Sequence, residues 1–168
     1  MKRLLPLAVV ALGATAIATV AYAAEAPAPS WPPPKMQVFI WADTVTAQSS
    51  NGSTPATLGK QENFFPRTAA VKFRMFAVDL KTKKVLVPAD VKFAYVAIPG
   101  QPKLKLTYAK QGTEAAAPSL WTGTWNIPPD YPLGLVGFRM VVRTKSNRYG
   151  SFVQTPVAAA QLTVLPAP

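Results

Sequence analysis

From residue 37 onward, the chain consists of short apolar runs that alternate with polar residues and end at clusters of Pro, Gly, Asn and Lys. The runs are rich in Val, Phe, Tyr and Trp, whose side chains suit the pleated surface of a strand. No stretch of useful length repeats its apolar residues at the spacing of a helix. This pattern restricts the chain to an all-β fold.

The alternation predicts seven strands, spaced about every 10 to 20 residues. They are expected at residues 37–42, 69–78, 91–98, 103–109, 120–126 and 135–144, with a broken last strand over 151–154 and 161–165. The polar segment 43–60 is expected to be a long exposed loop or an irregular edge. Many short strands separated by turns are typical of an antiparallel β-sandwich.

Successive side chains of a strand point to opposite faces, so the sequence also predicts which residues form the core. The predicted core residues are Val71, Phe73, Met75, Ala77, Leu104, Leu106, Tyr108, Val136, Phe138, Met140 and Val142. Phe93 and Tyr95 are expected to join them, with Lys92 facing outward. Burial of about a dozen such side chains, at roughly 1.5–3 kcal/mol each, is ample for a sandwich without disulfides.

Residues 1–23 have the parts of a secretory signal peptide. Two basic residues precede an apolar run from Leu4 to Val20, and Ala-Tyr-Ala follows as a cleavage site. Cleavage there starts the mature chain at Ala24 and places it in the periplasm or outside the cell. The alternative is an uncleaved membrane anchor, since the run is nearly long enough to span a bilayer. No later stretch approaches that length.

Residues 24–36 form a Pro-rich segment that favours polyproline II structure. We expect a semi-rigid linker between the cleavage site and the domain. The alternative is a ligand for a groove on another protein, with Trp31 as its aromatic residue. Residues 37–168 are then a single domain, large enough to bury a core.

Composition removes whole classes of chemistry. The chain has no Cys and no His, which excludes disulfides, thiol nucleophiles, thiolate metal sites and an ordinary Ser-His-Asp triad. Without the two basic residues of the leader, 16 basic residues stand against 7 acidic ones, a net charge of +9. Such a charge favours anionic partners, or serves only to keep the domain soluble.

No group of residues predicts catalysis, a cofactor or a metal site. The seven carboxylates are Glu25, Asp43, Glu62, Asp79, Asp90, Glu114 and Asp130. They are scattered over the linker, turns and loops, whereas a glycosidase needs two carboxylates that converge. No D-x-D-x-D pattern indicates a calcium site. Met75 and Met140 alternate in phase with the core, which favours packing over copper binding.

Basic residues of neighbouring strands form the main candidate binding site. If the segments 91–98 and 135–144 lie in one sheet of the sandwich, their outward basic residues share a face. The candidate docking face consists of Lys92, Lys103, Lys105, Arg139 and Arg143. The alternative is a solvated face that guards the sheet against aggregation.

Trp121 and Trp125 lie four residues apart in a predicted strand and share a face. Gly123, between them, is expected to leave room for both indoles. Exposed, the two rings would form a platform for stacking sugars. Burial is favoured, because the opposite face of this strand carries only Leu and Thr.

The segment from Trp121 to Thr144 resembles bacterial immunoglobulin-like and macroglobulin-type domains. It reads W-T-G-T-W-N-I-P, followed by a Pro- and Gly-containing turn with Tyr131 and by a long strand. The resemblance covers roughly residues 69–165 and implies an immunoglobulin-like antiparallel sandwich, in which Tyr131 bonds back to the backbone as a tyrosine corner does. Such domains act as spacers, adhesins, chaperones and accessory modules, so the resemblance implies no active-site residues.

Together these features favour a non-catalytic, exported accessory or docking module whose partner is another exported protein with an acidic surface. The alternative is a domain that binds glycans or anionic polymers through the basic face or through Trp121 and Trp125. A third hypothesis is a minimal hydrolase with an unusual carboxylate or Ser/Lys site. Nucleic acid is the least expected partner of an exported protein.

Overall fold

The computed structural model describes residues 36–48, 59–154 and 162–167. Strands form the regular structure of these residues, and no helix occurs among them. None of the described segments therefore crosses a membrane as an apolar helix. The predicted signal peptide and most of the linker, residues 1–35, lie outside the described residues.

The prediction of an all-β, antiparallel sandwich is confirmed, but the chain forms eleven strands instead of about seven. The strands are β1 (Val38–Ala47), β2 (Phe64–Pro66), β3 (Ala70–Asp79), β4 (Val91–Ala97), β5 (Leu104–Lys105), β6 (Thr107–Lys110), β7 (Ser119–Asn126), β8 (Gly134–Leu135), β9 (Arg139–Thr144), β10 (Tyr149–Val153) and β11 (Thr163–Leu165). The additional strands are short, with two or three residues each.

Two four-stranded antiparallel sheets form the sandwich. The first sheet has the order β1-β3-β7-β6, and the second has the order β10-β9-β4-β5. A small third sheet, β2-β11-β8, contains a parallel pairing of β11 with β2. Antiparallel sheets pack one face against the core and leave the other free, so each main sheet has an outer face.

The two sheets meet along both sides. On one side, the chain leaves the second sheet at β5 and enters the first at β6, and the Leu106 amide between them donates to the Ala94 carbonyl at 2.9 Å. On the other side, the Gln37 amide donates to the Tyr149 carbonyl at 3.0 Å, which joins the start of β1 to β10. These contacts cover part of the strand edges, which would otherwise pair with other chains.

The inner faces contain the predicted core residues. Val71, Phe73, Met75 and Ala77 of β3 are fully buried, and the ring of Phe73 meets that of Phe138 edge-on at 4.9 Å. Phe138 immediately precedes β9, which lies in the other sheet from β3, so this contact joins the two halves of the sandwich.

The expectation that Phe93 and Tyr95 join the core is wrong. The pairing of β4 with β9 shifts by one residue between Val91 and Phe93, which is a β-bulge. A bulge reverses the alternation, so Val91 is buried, whereas Phe93 is 43% exposed and Tyr95 is only partly buried. Ala94, next to them, turns inward instead.

The segment 43–60 is not wholly a loop. β1 continues to Ala47, and residues 59–62 pair with its second half. The Thr46 amide donates to the Lys60 carbonyl at 2.9 Å, and the Glu62 amide donates to the Thr44 carbonyl at 3.2 Å. Backbone pairing thus stabilises a strand whose polar sequence suggests a loop.

Candidate functional site

The outer face of the second sheet combines basic and aromatic side chains. The strand register places Arg143 between Phe93 and Tyr149 in one row across the sheet. Another row places Tyr95 beside Lys105 on β5. We call this surface the basic face; it consists of Lys103, Lys105, Arg139, Arg143, Phe93, Tyr95 and Tyr149.

The positions of these groups suit an extended anionic surface. The Lys103 ammonium lies 4.9 Å from the centre of the Tyr95 ring, within range of a cation–π contact. Phe93 lies on the other side of Tyr95, with ring centres 5.8 Å apart. Arg139 and Arg143 stand four residues apart on β9, which separates them by about 13 Å. The cations are therefore distributed along the sheet and not concentrated at one point.

The structure brings most of the predicted docking residues together. Lys105, Arg139 and Arg143 share the basic face, and Lys103 lies over its Tyr95 ring. Lys92 is the extra residue of the bulge and is exposed at the start of β4, beside Phe93. All five residues thus lie on or next to the second sheet. The sequence prediction placed Phe93 and Tyr95 in the core because the alternation gives no sign of the bulge. It missed Tyr149 because β10 begins two residues before the predicted strand 151–154.

No carboxylate lies in β4, β5, β9 or β10. The two buried carboxylates among the described residues, Asp43 and Asp79, belong to the first sheet, and each is held by an arginine. The positive charge of the basic face therefore has no counter-charge within its own strands.

The burial expected for Trp121 and Trp125 is observed, since each is 6% exposed. The Trp121 indole nitrogen donates to the Leu86 carbonyl at 2.9 Å. The Trp125 ring meets the Tyr131 ring edge-on at 4.9 Å. Neither indole presents a face to solvent, which a sugar-stacking platform requires.

Gly123 has a different role from the one expected. A Cβ on Gly123 would stand 3.0 Å from Leu106 and 3.1 Å from Leu104. The space beside this glycine is therefore filled by leucines from the crossing between β5 and β6, and not by the two indoles. The sequence does not reveal this neighbour, because it lies on another strand.

The outer face of the first sheet is apolar near the start of β1. Phe39 and Trp41 are 49% and 46% exposed. The register sets Phe39 beside Val78 and Trp41 beside Phe76, and Val85 pairs with Val78 from the far side. We call these five residues the apolar face. The run Val-Phe-Ile-Trp-Ala at residues 38–42 signals it, since a strand that is apolar at every position lacks a polar outer side.

An ion pair borders the apolar face. The Arg74 guanidinium donates to both carboxylate oxygens of Asp43, its partner across the strand register. The hydrogen bond to Asp43 raises the pKa of Arg74 above its ordinary value, although partial burial opposes the shift. The opposite charges of the pair cancel, so it contributes no net charge to this sheet.

Tyr131 bonds to the backbone, but not as a tyrosine corner does. Its hydroxyl donates to the carbonyl of Pro99 at 3.0 Å, 32 residues earlier in the chain, whereas a tyrosine corner reaches only a few residues upstream. This bond ties the connection after β7 to the end of β4. Burial raises the pKa of the Tyr131 hydroxyl.

Other features of the described residues offer little for catalysis. One shallow cleft of about 410 Å³ is lined by residues 111–118, all from the connection between β6 and β7. Glu114 is its one ionisable side chain. No group of three potential metal ligands occurs within the part of the chain that the structure describes.

Comparisons with protein-family models, with curated proteins and with solved structures found no match. The two outer faces are therefore the basis on which a function is assigned.

Proposed function

We propose that this protein is a non-catalytic, exported docking module whose basic face binds an acidic surface of another exported protein. The observation that carries the proposal is the composition of that face. Four cations and three aromatic rings lie on one sheet whose four strands contain no carboxylate. An acidic surface supplies the missing counter-charge.

Five of the seven residues of this face, two arginines and three aromatic residues, are of types enriched in protein interfaces. Arg, Tyr and Phe are over-represented there, and Tyr and Arg frequently dominate the binding energy. Arg143 lies between Phe93 and Tyr149, so its guanidinium is positioned to form a two-point contact with a partner carboxylate beside apolar rings. The cations increase the rate of encounter, and the rings add buried area.

We also propose that the sandwich is immunoglobulin-like. The strands of the two main sheets can be given the letters A, B, C, C′, D, E, F and G in chain order, for β1, β3, β4, β5, β6, β7, β9 and β10. The first sheet then has the order A-B-E-D, and the second has the order G-F-C-C′. The immunoglobulin fold has this arrangement of strands, which supports the proposed family despite the different bond of Tyr131.

A charge-reversal experiment tests the docking role. The partner is first captured from the exported fraction by a native pull-down with chemical cross-linking. The variant Arg139→Glu/Arg143→Glu should then associate with it about 10-fold more slowly and with a weaker dependence on salt. Its melting temperature should barely change, because exposed charges contribute little to folding.

A matched control is Lys60→Glu/Lys110→Glu, which changes the net charge equally at exposed residues outside the basic face. The control should associate at nearly the rate of the unmodified protein. If association slows equally in both variants, the basic face acts only through the net charge of the protein. If the association rate is unchanged in both variants, the basic face is not the docking site.

An anionic glycan is the second candidate ligand, because the Tyr95 ring lies beside two cations, Lys103 and Lys105. Aromatic rings stack on sugars, and cations bind their carboxylate or sulfate groups. Recovery of no protein partner, together with retention on an anionic polysaccharide that Tyr95→Ala abolishes, would favour this ligand over a protein.

A further inference from the structure

The apolar face continues into a lysine-rich turn at the end of β3. Lys81, Lys83 and Lys84 are exposed in the connection that follows β3. We call these three residues the lysine turn. The Leu80 amide donates to the Gln37 carbonyl at 2.9 Å, so the turn lies beside the start of β1.

Apolar side chains surround the base of this turn. Leu80 and Val85 are each 40% exposed, and Met36, which precedes Gln37 in the chain, is 59% exposed. Val85 pairs with Val78, which in turn lies beside Phe39. The lysine turn and the apolar face are therefore one continuous surface at one corner of the sandwich.

The carboxylate nearest in sequence does not neutralise the lysine turn. Asp79 is 3% exposed, and its Oδ1 accepts the amides of Lys81 and Thr82 at 2.9 and 3.1 Å. The same oxygen accepts a hydrogen bond from the Arg148 guanidinium at 2.9 Å. Asp79 thus shapes the turn and pairs with an arginine, while the three ammonium groups remain in solvent.

We propose that this corner docks on an anionic lipid surface. Trp and Phe side chains partition into the boundary between headgroups and acyl chains. Lysine side chains near an anionic bilayer are attracted to its negative headgroups. An exposed Trp and Phe beside three unpaired lysines match both parts of such a surface, the apolar boundary and the negative headgroups.

Other occupants fit the corner less well. In a second copy of the chain, the described part of the same sheet offers one outward carboxylate, Asp43, which Arg74 already holds. This sheet of a second copy therefore supplies no free carboxylate to balance the charge of the lysine turn. A neutral glycan needs hydrogen-bonding groups that fix its orientation, and the side chains of the apolar face have none except the Trp41 indole nitrogen.

The chain itself reaches the domain at this corner. Met36 is the first described residue, and the apolar run from Leu4 to Val20 precedes it in the sequence. The corner is therefore the part of the domain that lies nearest in sequence to the predicted signal peptide or anchor.

Vesicle binding tests the proposal. Exported protein, with its N-terminus read by mass spectrometry, is sedimented with vesicles of phosphatidylcholine alone or with phosphatidylglycerol added. Binding is expected for the anionic vesicles and not for phosphatidylcholine alone. The emission of Trp41 should shift to the blue on binding and be quenched by brominated lipid, and Trp41→Phe should remove that signal. Absence of binding to the anionic vesicles would overturn the proposal.

Two variants separate the corner from general positive charge. Replacing all three residues of the lysine turn with alanine should weaken vesicle binding at least 10-fold. Phe39→Ser should weaken vesicle binding by at least the same factor, provided that the melting temperature of the variant is unchanged. Should Phe39→Ser fail to fold, Phe39→Leu replaces it and should weaken binding less. A lysine-turn variant that binds the anionic vesicles as tightly as the unmodified protein would overturn the proposal.

The matched control replaces Lys60, Lys72 and Lys110 with alanine, which removes the same charge outside both the lysine turn and the basic face. It should keep most of the vesicle binding. If the control and the lysine-turn variant lose vesicle binding equally, the corner is not a specific lipid site. Capture of an acidic protein that binds through the lysine turn would also overturn the proposal. Arg139→Glu/Arg143→Glu should still bind vesicles while associating more slowly with its protein partner, so the two proposals fail separately.

Discussion

Gly150 of β10 lies against Val38 of β1 so closely that any larger residue would collide there. A Cβ on Gly150 would stand 2.6 Å from the Val38 carbonyl oxygen and 2.7 Å from the Val38 Cβ. Gly150 itself is buried. This contact joins the edge of the second sheet to that of the first, next to the hydrogen bond between Gln37 and Tyr149.

We expect Gly150→Ala to lower the free energy of unfolding by about 1–3 kcal/mol, the usual cost of overpacking. The backbone of β1 or β10 has to move, because the obstructing atoms include a carbonyl. Urea unfolding measures the change. Gly137→Ala is the control, since a Cβ at Gly137 meets nothing within 4 Å. Equal stability of the two variants would contradict the close contact.

Trp125→Ala should lower the free energy of unfolding by about 3–5 kcal/mol, because it removes a buried indole and leaves a cavity beside Tyr131. Trp41→Ala removes the same side chain from a position that is 46% exposed and should cost much less. Chemical denaturation of both variants makes the comparison. Similar costs would mean that Trp125 is not part of the core in solution.

Asp79→Ala should cost about 3 kcal/mol, because it leaves Arg148 and two turn amides without their acceptor. Arg148→Met should cost less, since Asp79 retains the amides of Lys81 and Thr82. Thermal unfolding of the single and double variants gives the coupling between the two side chains. Lys145→Met, at an exposed position of the same hairpin turn, should change stability by no more than about 0.5 kcal/mol.

The raised pKa of Tyr131 predicts a loss of stability at alkaline pH. Burial favours the neutral hydroxyl in the folded state, so its contribution is complete below the ordinary tyrosine pKa of about 10 and disappears as the pH rises through the folded pKa. Tyr131→Phe should cost about 1 kcal/mol at neutral pH, through the lost bond to Pro99.

The Tyr131→Phe variant should then lose less stability between about pH 9 and pH 12 than the unmodified protein does. Urea unfolding of both proteins across this range measures the difference. Absorbance at the tyrosinate band should lack one late-titrating component in the variant. Parallel pH profiles would show that the hydroxyl of Tyr131 is accessible to solvent.

The prediction of which residues face inward succeeded where the strands are regular. Phe73, Met140 and their neighbours are buried as expected, because the alternation of side chains is a local property of an extended backbone. It failed at Phe93 and Tyr95, where a single extra residue reverses the alternation. A bulge depends on how β4 pairs with β9, and nothing in the sequence of β4 alone marks it.

The two candidate surfaces were also predicted only in part from the sequence. The sequence indicated that Arg139 and Arg143 face outward together, since both lie in one strand. It did not indicate that Phe93 and Tyr149 flank Arg143, or that the lysine turn adjoins Phe39. These neighbours come from three different strands or from a turn, and only the strand order sets them side by side.

The sequence by itself determined the all-β class, the inward sides of the regular strands and the burial of Trp121 and Trp125. Each of these follows from residue type and from a period of two along one strand. The tertiary structure alone decided the edge contact of Gly150 with Val38, the bond of Tyr131 to Pro99 and the composition of both outer faces. These features join residues far apart in the chain, and their positions depend on strand pairing and sheet packing, which no local pattern encodes.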